Sequence, residues 1–146
     1  MTLLNFSHPL LPAVGMVLVT GAVWVRLYFE RIGEMRQRRI PASQLATSRQ
    51  AAAALQNVNS ADNLRNLFEI PVLFYVLCLM LFVTKLGTPV TLAGCWLYVL
   101  LRALHSAIHC TYNKVMHRFY VYAVSTALLF LLWIVLAAGL LRSGGT

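Results

Sequence analysis

Four groups of polar side chains sit where the surrounding sequence is apolar, and their spacing decides what chemistry they could do together. In the second apolar stretch, Asp62, Arg65, Asn66 and Glu69 fall within roughly 100° of one another on a helix advancing about 100° per residue. Arg65 and Glu69 are spaced for an i,i+4 pair. In the third, Arg102, His105, His109 and Tyr112 cover roughly 80° of arc, with Asn113 at the edge of the stripe. In the fourth, Arg118, Tyr122 and Ser125 repeat at i, i+4, i+7, and the first contributes Arg26 near its end. The inventory is rich in cations and poor in carboxylates, so it suits an anionic ligand better than a metal or a proton path. His105 and His109 have the i,i+4 spacing of a chelating pair, but no carboxylate or cysteine completes a ligand set on their face, and no metal site is expected.

These side chains need elements to carry them. Of 146 residues, 60% are hydrophobic and only 11% charged, and the mean hydropathy is +0.72. A soluble domain of this length would carry about a quarter charged residues to cover its surface. The composition therefore excludes disorder and argues against an ordinary soluble fold. A hydrocarbon core of about 30 Å needs roughly 20 helical residues. Four apolar windows reach that length, from about Leu10 to Phe29, Leu64 to Thr84, Val90 to Thr111 and Phe119 to Leu141. The expectation is an all-α integral membrane four-helix bundle filling residues 1–146 as a single domain, with one long connection over about residues 30–63.

Twelve Lys and Arg against four Asp and Glu leave a net charge of +8, and seven of the twelve fall between Arg26 and Arg65, flanking apolar runs. That is the distribution of cytoplasmic loops rather than of a nucleic-acid surface, so no nucleic-acid partner is expected. Basic residues at the exit of the first span and around Lys114 to Arg118 are expected to place both connections in the cytoplasm and both termini outside. MTLLNFSHP carries no cation before its apolar run, so the first span is expected to stay in the protein. Pro41 should stop any helix continuing from that span, the Ala/Gln/Ser stretch after it should extend the second span downward, and Pro71 should kink that span and free carbonyls for a neighbour to satisfy. Cys78, Cys95 and Cys110 lie in apolar segments and form no CxxC, which predicts free, buried thiols.

An Arg or Asp at the centre of a lipid-facing helix costs roughly 2.5–3.5 kcal/mol on insertion scales. The charged face of the second span is therefore expected to look inward. Arg102, about 13 Å inside the end of its span, is too deep to snorkel easily, whereas Arg26 and Arg118 stand near helix ends where snorkelling to head groups is an alternative.

The order of these residues resembles the membrane-associated proteins in eicosanoid and glutathione metabolism, in particular bacterial-type members of that family. Arg65-Asn66-Leu67-Phe68-Glu69 followed by Pro71 is similar to the family's Arg-Asn-x-x-Glu segment, and Arg102-Ala-Leu-His105 to its Arg-x-x-His. The 40-residue step from Arg65 to His105 is similar to that of the microsomal prostaglandin E synthase branch. The resemblance implies a homotrimer that binds glutathione as co-substrate at the cytoplasmic side between subunits. It also implies a lipophilic small molecule or lipid as the second partner. It assigns Arg118 to thiol activation, and Arg26, Arg65, Asn66, Glu69, His105 and Tyr122 to holding the tripeptide; Arg102, His109 and Tyr112, on the same stripe as His105, are expected as a supporting shell. Two positions depart from it. His109 stands where the family's third helix usually has a tyrosine, and Phe119 follows Arg118 where the prostaglandin branch has a serine. The implied activity is glutathione transfer or peroxide reduction on a lipophilic electrophile. The alternatives are a non-catalytic lipid-binding or scaffold member of the same family, and a haem or metal carrier using His105 and His109.

Overall fold

The computed structural model describes residues 8–143, so the first seven and last three residues of the expected 1–146 domain lie outside the described residues. Helix α1 spans Leu11–Arg38, α2 Ser48–Ala54, α3 Asn59–Leu67, α4 Pro71–Thr84, α5 Pro89–Cys110 and α6 Val115–Ser143, with a short 3₁₀ turn at Ala42–Leu45. Four rods, α1, the α3–α4 pair, α5 and α6, are long and apolar enough to cross a membrane. The chain is an all-α integral membrane four-helix bundle.

Pro12 opens α1 within its first turn, where a missing N–H costs nothing. The helix runs past the apolar window to Arg38, and Arg39 then turns left-handed at φ 53° while the Ile40 amide bonds back to the Met35 carbonyl. Pro41 follows in extended conformation, as expected of a residue that cannot continue a helix. The Ala/Gln/Ser stretch does not extend the second span. It forms the separate helix α2, started by a reciprocal Thr47–Gln50 capping box and stopped at Leu55, which is extended at φ −94°, ψ 140°. The connection is tied to α1 instead. Glu34 accepts from the amides of Gln56 at 2.7 Å and Asn57 at 3.3 Å and from Arg38, whose Nη1 also donates to the Ala54 carbonyl at 2.9 Å.

That tie lies beyond the apolar window and has a pH signature. The Gln56 amide, then the Arg38 and Asn57 donors, hold the Glu34 carboxyl below its ordinary value against a partial desolvation that raises it. A carboxylate lowered on folding contributes fully above the usual glutamate range and stops contributing as the pH falls through its lowered value. Amide exchange at Gln56 and Asn57 is expected to accelerate across that acid range. At neutral pH, Glu34→Gln should accelerate it by about fivefold, the equivalent of about 1 kcal/mol for an exposed tie.

Pro71 does more than kink the second span. The helix stops at Leu67 and restarts at Pro71, with Phe68 leaving helical geometry between them. α5 is the central helix, lying against α1, α3 and α6. Pro89 and a Thr88–Thr91 capping box set its start. The core packs Met16 of α1, Phe74, Leu77, Cys78 and Leu81 of α4, Cys95 and Tyr98 of α5, and Leu129, Leu132 and Leu136 of α6, with Phe74 stacked on Tyr98 at 4.4 Å. All three cysteines are free and buried, as expected.

Gly94 sets the approach of α5 to α6, because a Cβ there would lie 2.8 Å from Leu132 Cδ2. Ala at this position pushes only the end of one leucine and gains helix propensity of up to about 1 kcal/mol, so Gly94→Ala is expected to be close to neutral. Leu must also displace the helix partner. Gly94→Leu is expected to cost about 1–3 kcal/mol, read as a lowered midpoint in denaturing-detergent titration.

Candidate functional site

The polar residues converge at the end of the bundle where α1 and α5 finish and α3 and α6 begin. The chain gets from α5 to α6 in a tight turn. Thr111 leaves helical geometry at φ −113°, ψ −101°, and Asn113 adopts φ 47°, a left-handed conformation that asparagine tolerates better than other side chains. Its amide bonds back to the Ile108 carbonyl at 2.9 Å. This turn places Arg118, in the first turns of α6, against the last turn of α5.

Arg118 is the hub. Its Nη1 donates to Asn113 Oδ1 at 2.8 Å and to His109 Nε2 at 2.7 Å, and its carbonyl accepts from His105 Nδ1 at 3.0 Å. A guanidinium only donates and a carbonyl only accepts, so both histidine tautomers are assigned by their partners. His105 carries its proton on Nδ1. His109 accepts at Nε2, so it is neutral with its proton on Nδ1. His105 packs against His109 edge to face at 5.6 Å and against the Tyr122 ring at 5.7 Å. Among the described residues the Nε and Nη2 of Arg118 have no hydrogen-bond partner, and they remain accessible.

Arg102 lies one layer deeper, fully buried, with its guanidinium carbon 5.2 Å from the centre of the Tyr122 ring. Its Nη2 donates to the Asn66 carbonyl at 3.2 Å. That carbonyl belongs to the last turn of α3, where helix termination at the Pro71 break leaves acceptors without intrahelical donors. Arg102 thus satisfies one of the carbonyls that the break leaves open. Its Nε and Nη1, with the buried Tyr98 hydroxyl, have no hydrogen-bond partner among the described residues.

The structure therefore brings His105, His109, Arg118, Tyr122 and Arg102 together within one chain, and leaves other expected site residues apart from them. Asp62, Arg65 and Glu69 are exposed, and the Arg65–Glu69 pair does not form. Two facts explain this. The helix stops between the two residues, and α3 buries its Ser60, Asn63 and Leu67 face instead. The expectation that the charged face looks inward is corrected: within the chain it looks outward. Arg65 borders a cavity of about 280 Å³ with Leu27, Arg31, Leu55 and Asp62. Asn66 takes part through its backbone. Arg26 pairs with Glu30 at 2.8 Å and donates to the Cys110 carbonyl, closing the end of α5. Tyr112 lies past the end of α5, outside the helical period that put it on the stripe, and its exposed hydroxyl meets His117 Nδ1 at 3.3 Å.

A second polar cluster was absent from the sequence reading. Asn63 donates through Nδ2 to Cys110 Sγ at 3.4 Å and accepts from Ser106 Oγ at 3.4 Å, and Ser60 reaches the same sulfur at 3.7 Å. Asn59 Oδ1 accepts from Asn113 Nδ2 at 2.7 Å. The signal was available, since Ser106 and Cys110 each follow a stripe histidine by one residue and Asn59 and Asn63 are themselves i,i+4. Beside this cluster, Val19, Ala22, Val23, Ala103 and Ala107 with Arg26 line a mostly apolar cleft of about 250 Å³ between α1 and α5.

No curated protein and no solved structure matches the sequence significantly. A family model matches residues 9–138, nearly the whole chain, and by that match the chain belongs to the MAPEG family, the membrane-associated proteins in eicosanoid and glutathione metabolism.

Proposed function

We propose that this protein is a glutathione-dependent transferase or peroxidase of the membrane, acting on a lipophilic electrophile that enters from the bilayer. The observation that carries the reading is the state of Arg118, held at one guanidinium nitrogen and open at the Nε/Nη2 edge, beside His105 and Tyr122. An open guanidinium edge stabilises a thiolate over a thiol, and the thiolate is the nucleophile. Arg118 also stands near the amino end of a 29-residue helix, whose terminal amides favour an anion. In transfer, the sulfur forms a bond to the electrophilic carbon while the leaving group departs with its electron pair or the adduct takes up a proton. In peroxide reduction, two glutathione molecules are oxidised to their disulfide, and the peroxide is reduced to an alcohol and water.

Arg26, Arg65, Asn66 and Glu69 would hold the tripeptide together with His105 and Tyr122, the arginines pairing with its carboxylates and Glu69 with its amino group. The outward charged face of α3 supports a homotrimer in which that face meets the Arg118 cluster of a neighbouring copy. The basic loops would face the cytoplasm of a bacterial inner membrane, with both termini outside. The apolar cleft between α1 and α5 suits a lipophilic second substrate.

The test is a glutathione titration of detergent-purified protein, followed by ultraviolet difference absorbance in the thiolate band. A saturable band is expected. Binding of glutathione without the band, or no binding by an intact oligomer, overturns the enzyme reading. The latter outcome favours a lipid-binding or scaffold protein, for which Phe119 at the position after Arg118, with no hydroxyl to offer, is the supporting feature.

A further inference from the structure

We infer that His109 and Asn113 are positioning residues that clamp Arg118. They occupy both N–H groups of its Nη1 and so aim its other edge at the thiol, an inference that rests on the function proposed above. The guanidinium is planar with five N–H donors in fixed directions, so holding one nitrogen from two sides fixes where the rest point. His109 Nε2 holds Nη1 from the last turn of α5 at 2.7 Å, and Asn113 Oδ1 holds it from the connecting turn at 2.8 Å. Neither holder is loose. His109 is buried, and Asn113 is fixed by its left-handed backbone, by its amide on the Ile108 carbonyl and by its Nδ2 on Asn59 Oδ1 at 2.7 Å. The His105 ring holds the Arg118 carbonyl at 3.0 Å, so the backbone that carries the side chain is held as well.

The Nε/Nη2 edge left over is the one that pairs bidentately with an anion. An arginine at the start of a membrane helix would otherwise turn its long stem toward head groups. The clamp prevents that, and it does so by acceptor chemistry. His109 can accept only while neutral, and replacing it by a side chain without an acceptor leaves Nη1 half held. The resemblance supplies neither residue, because the family usually has a tyrosine at the position of His109 and it assigns nothing to Asn113. The clamp is therefore a property of this chain's own α5–α6 turn.

Two readouts on the full chain in detergent test it. Nitrogen-15 arginine spectra report rotation of the Arg118 guanidinium, with its signals identified by their loss in Arg118→Lys. The thiolate band reports the bound glutathione. Wild type is expected to show separate, slowly exchanging Nη protons for Arg118. His109→Leu and Asn113→Gly should each collapse them to an averaged signal and lower the thiolate amplitude by about tenfold, the loss of one charge-assisted hydrogen bond. His109→Gln, which retains an acceptor, should keep both. Asn113→Gly preserves the left-handed turn, so it separates loss of the acceptor from loss of the fold. Averaged guanidinium signals in wild type, unchanged signals in both His109→Leu and Asn113→Gly, or a folded His109→Gln that behaves as His109→Leu would each overturn the clamp. Slow, variant-sensitive guanidinium signals with no thiolate band in wild type support the clamp and overturn the thiol reading, so the two fail separately.

Discussion

Arg118→Ala is expected to abolish the thiolate band of bound glutathione and to lower the rate of glutathione transfer by about 10²–10³-fold, the usual loss when one preorganised donor to a developing or resident anion is removed. The protein should still fold. Arg118 is half-buried near the helix start, it is not a member of the apolar core, and its side-chain partners are a turn asparagine and a histidine. Glutathione affinity should fall much less than the rate, because on the function proposed above Arg26 and Arg65 would hold the tripeptide's carboxylates. A variant that binds glutathione with wild-type affinity and still shows the full band would remove Arg118 from the chemistry. Arg118→Lys is the sharper comparison. It preserves the charge but offers a flexible ammonium instead of a planar edge, so partial recovery of the band with little recovery of rate is expected if direction matters as well as charge.

The spans were legible in the sequence because membrane insertion depends on about 20 consecutive apolar residues, a property that summing hydropathy measures directly. Their polar ends were less legible for the same reason. A window starting near Leu64 leaves Asn59, Ser60 and Asn63 in the loop, yet these residues form the first turns of α3 and seat it on α5. Helical periodicity correctly grouped Arg102, His105 and His109 on one face of α5, all of them buried. It failed for Tyr112, because the period holds only while the helix lasts and α5 ends at Cys110. The outward direction of Arg65 and Glu69 was illegible on different grounds. Which face of a helix is buried depends on what packs against it. The argument from the cost of charge in lipid requires only that those side chains avoid hydrocarbon, and a helix turn at the membrane edge meets that demand without facing inward. Pro71 was recognised as a disruption. That Arg102 supplies the donor for the interrupted turn follows only from the packing of α5 on α3.

Asn63→Ala is expected to destabilise the bundle by about 2–3 kcal/mol and to release α3 from α5 before the rest unfolds. The side chain is wholly buried and uses both ends of its amide, accepting from Ser106 and donating to the Cys110 sulfur. Sulfur is a weak acceptor, so these bonds contribute at the low end of the usual range, about 0.5–1.5 kcal/mol each. Truncation also leaves the Ser106 hydroxyl without its acceptor and opens a void with limited room to collapse between two packed helices. Asn63→Asp separates the two contributions. It preserves the shape and the acceptor for Ser106, but turns the donor toward Cys110 into a second acceptor and buries a carboxyl with no cation paired to it, so it should cost at least as much as Ala. Cys110→Ala should cost less than either, since it removes only the weak acceptor. That ranking, measured by denaturing-detergent titration with amide exchange over residues 59–67, assigns the lock to hydrogen bonding. Equal losses for Ala and Cys110→Ala with a tolerated Asp would assign it to packing volume instead. Loss of the lock should also reach Arg118, because the same turns of α3 carry Asn59, which holds Asn113.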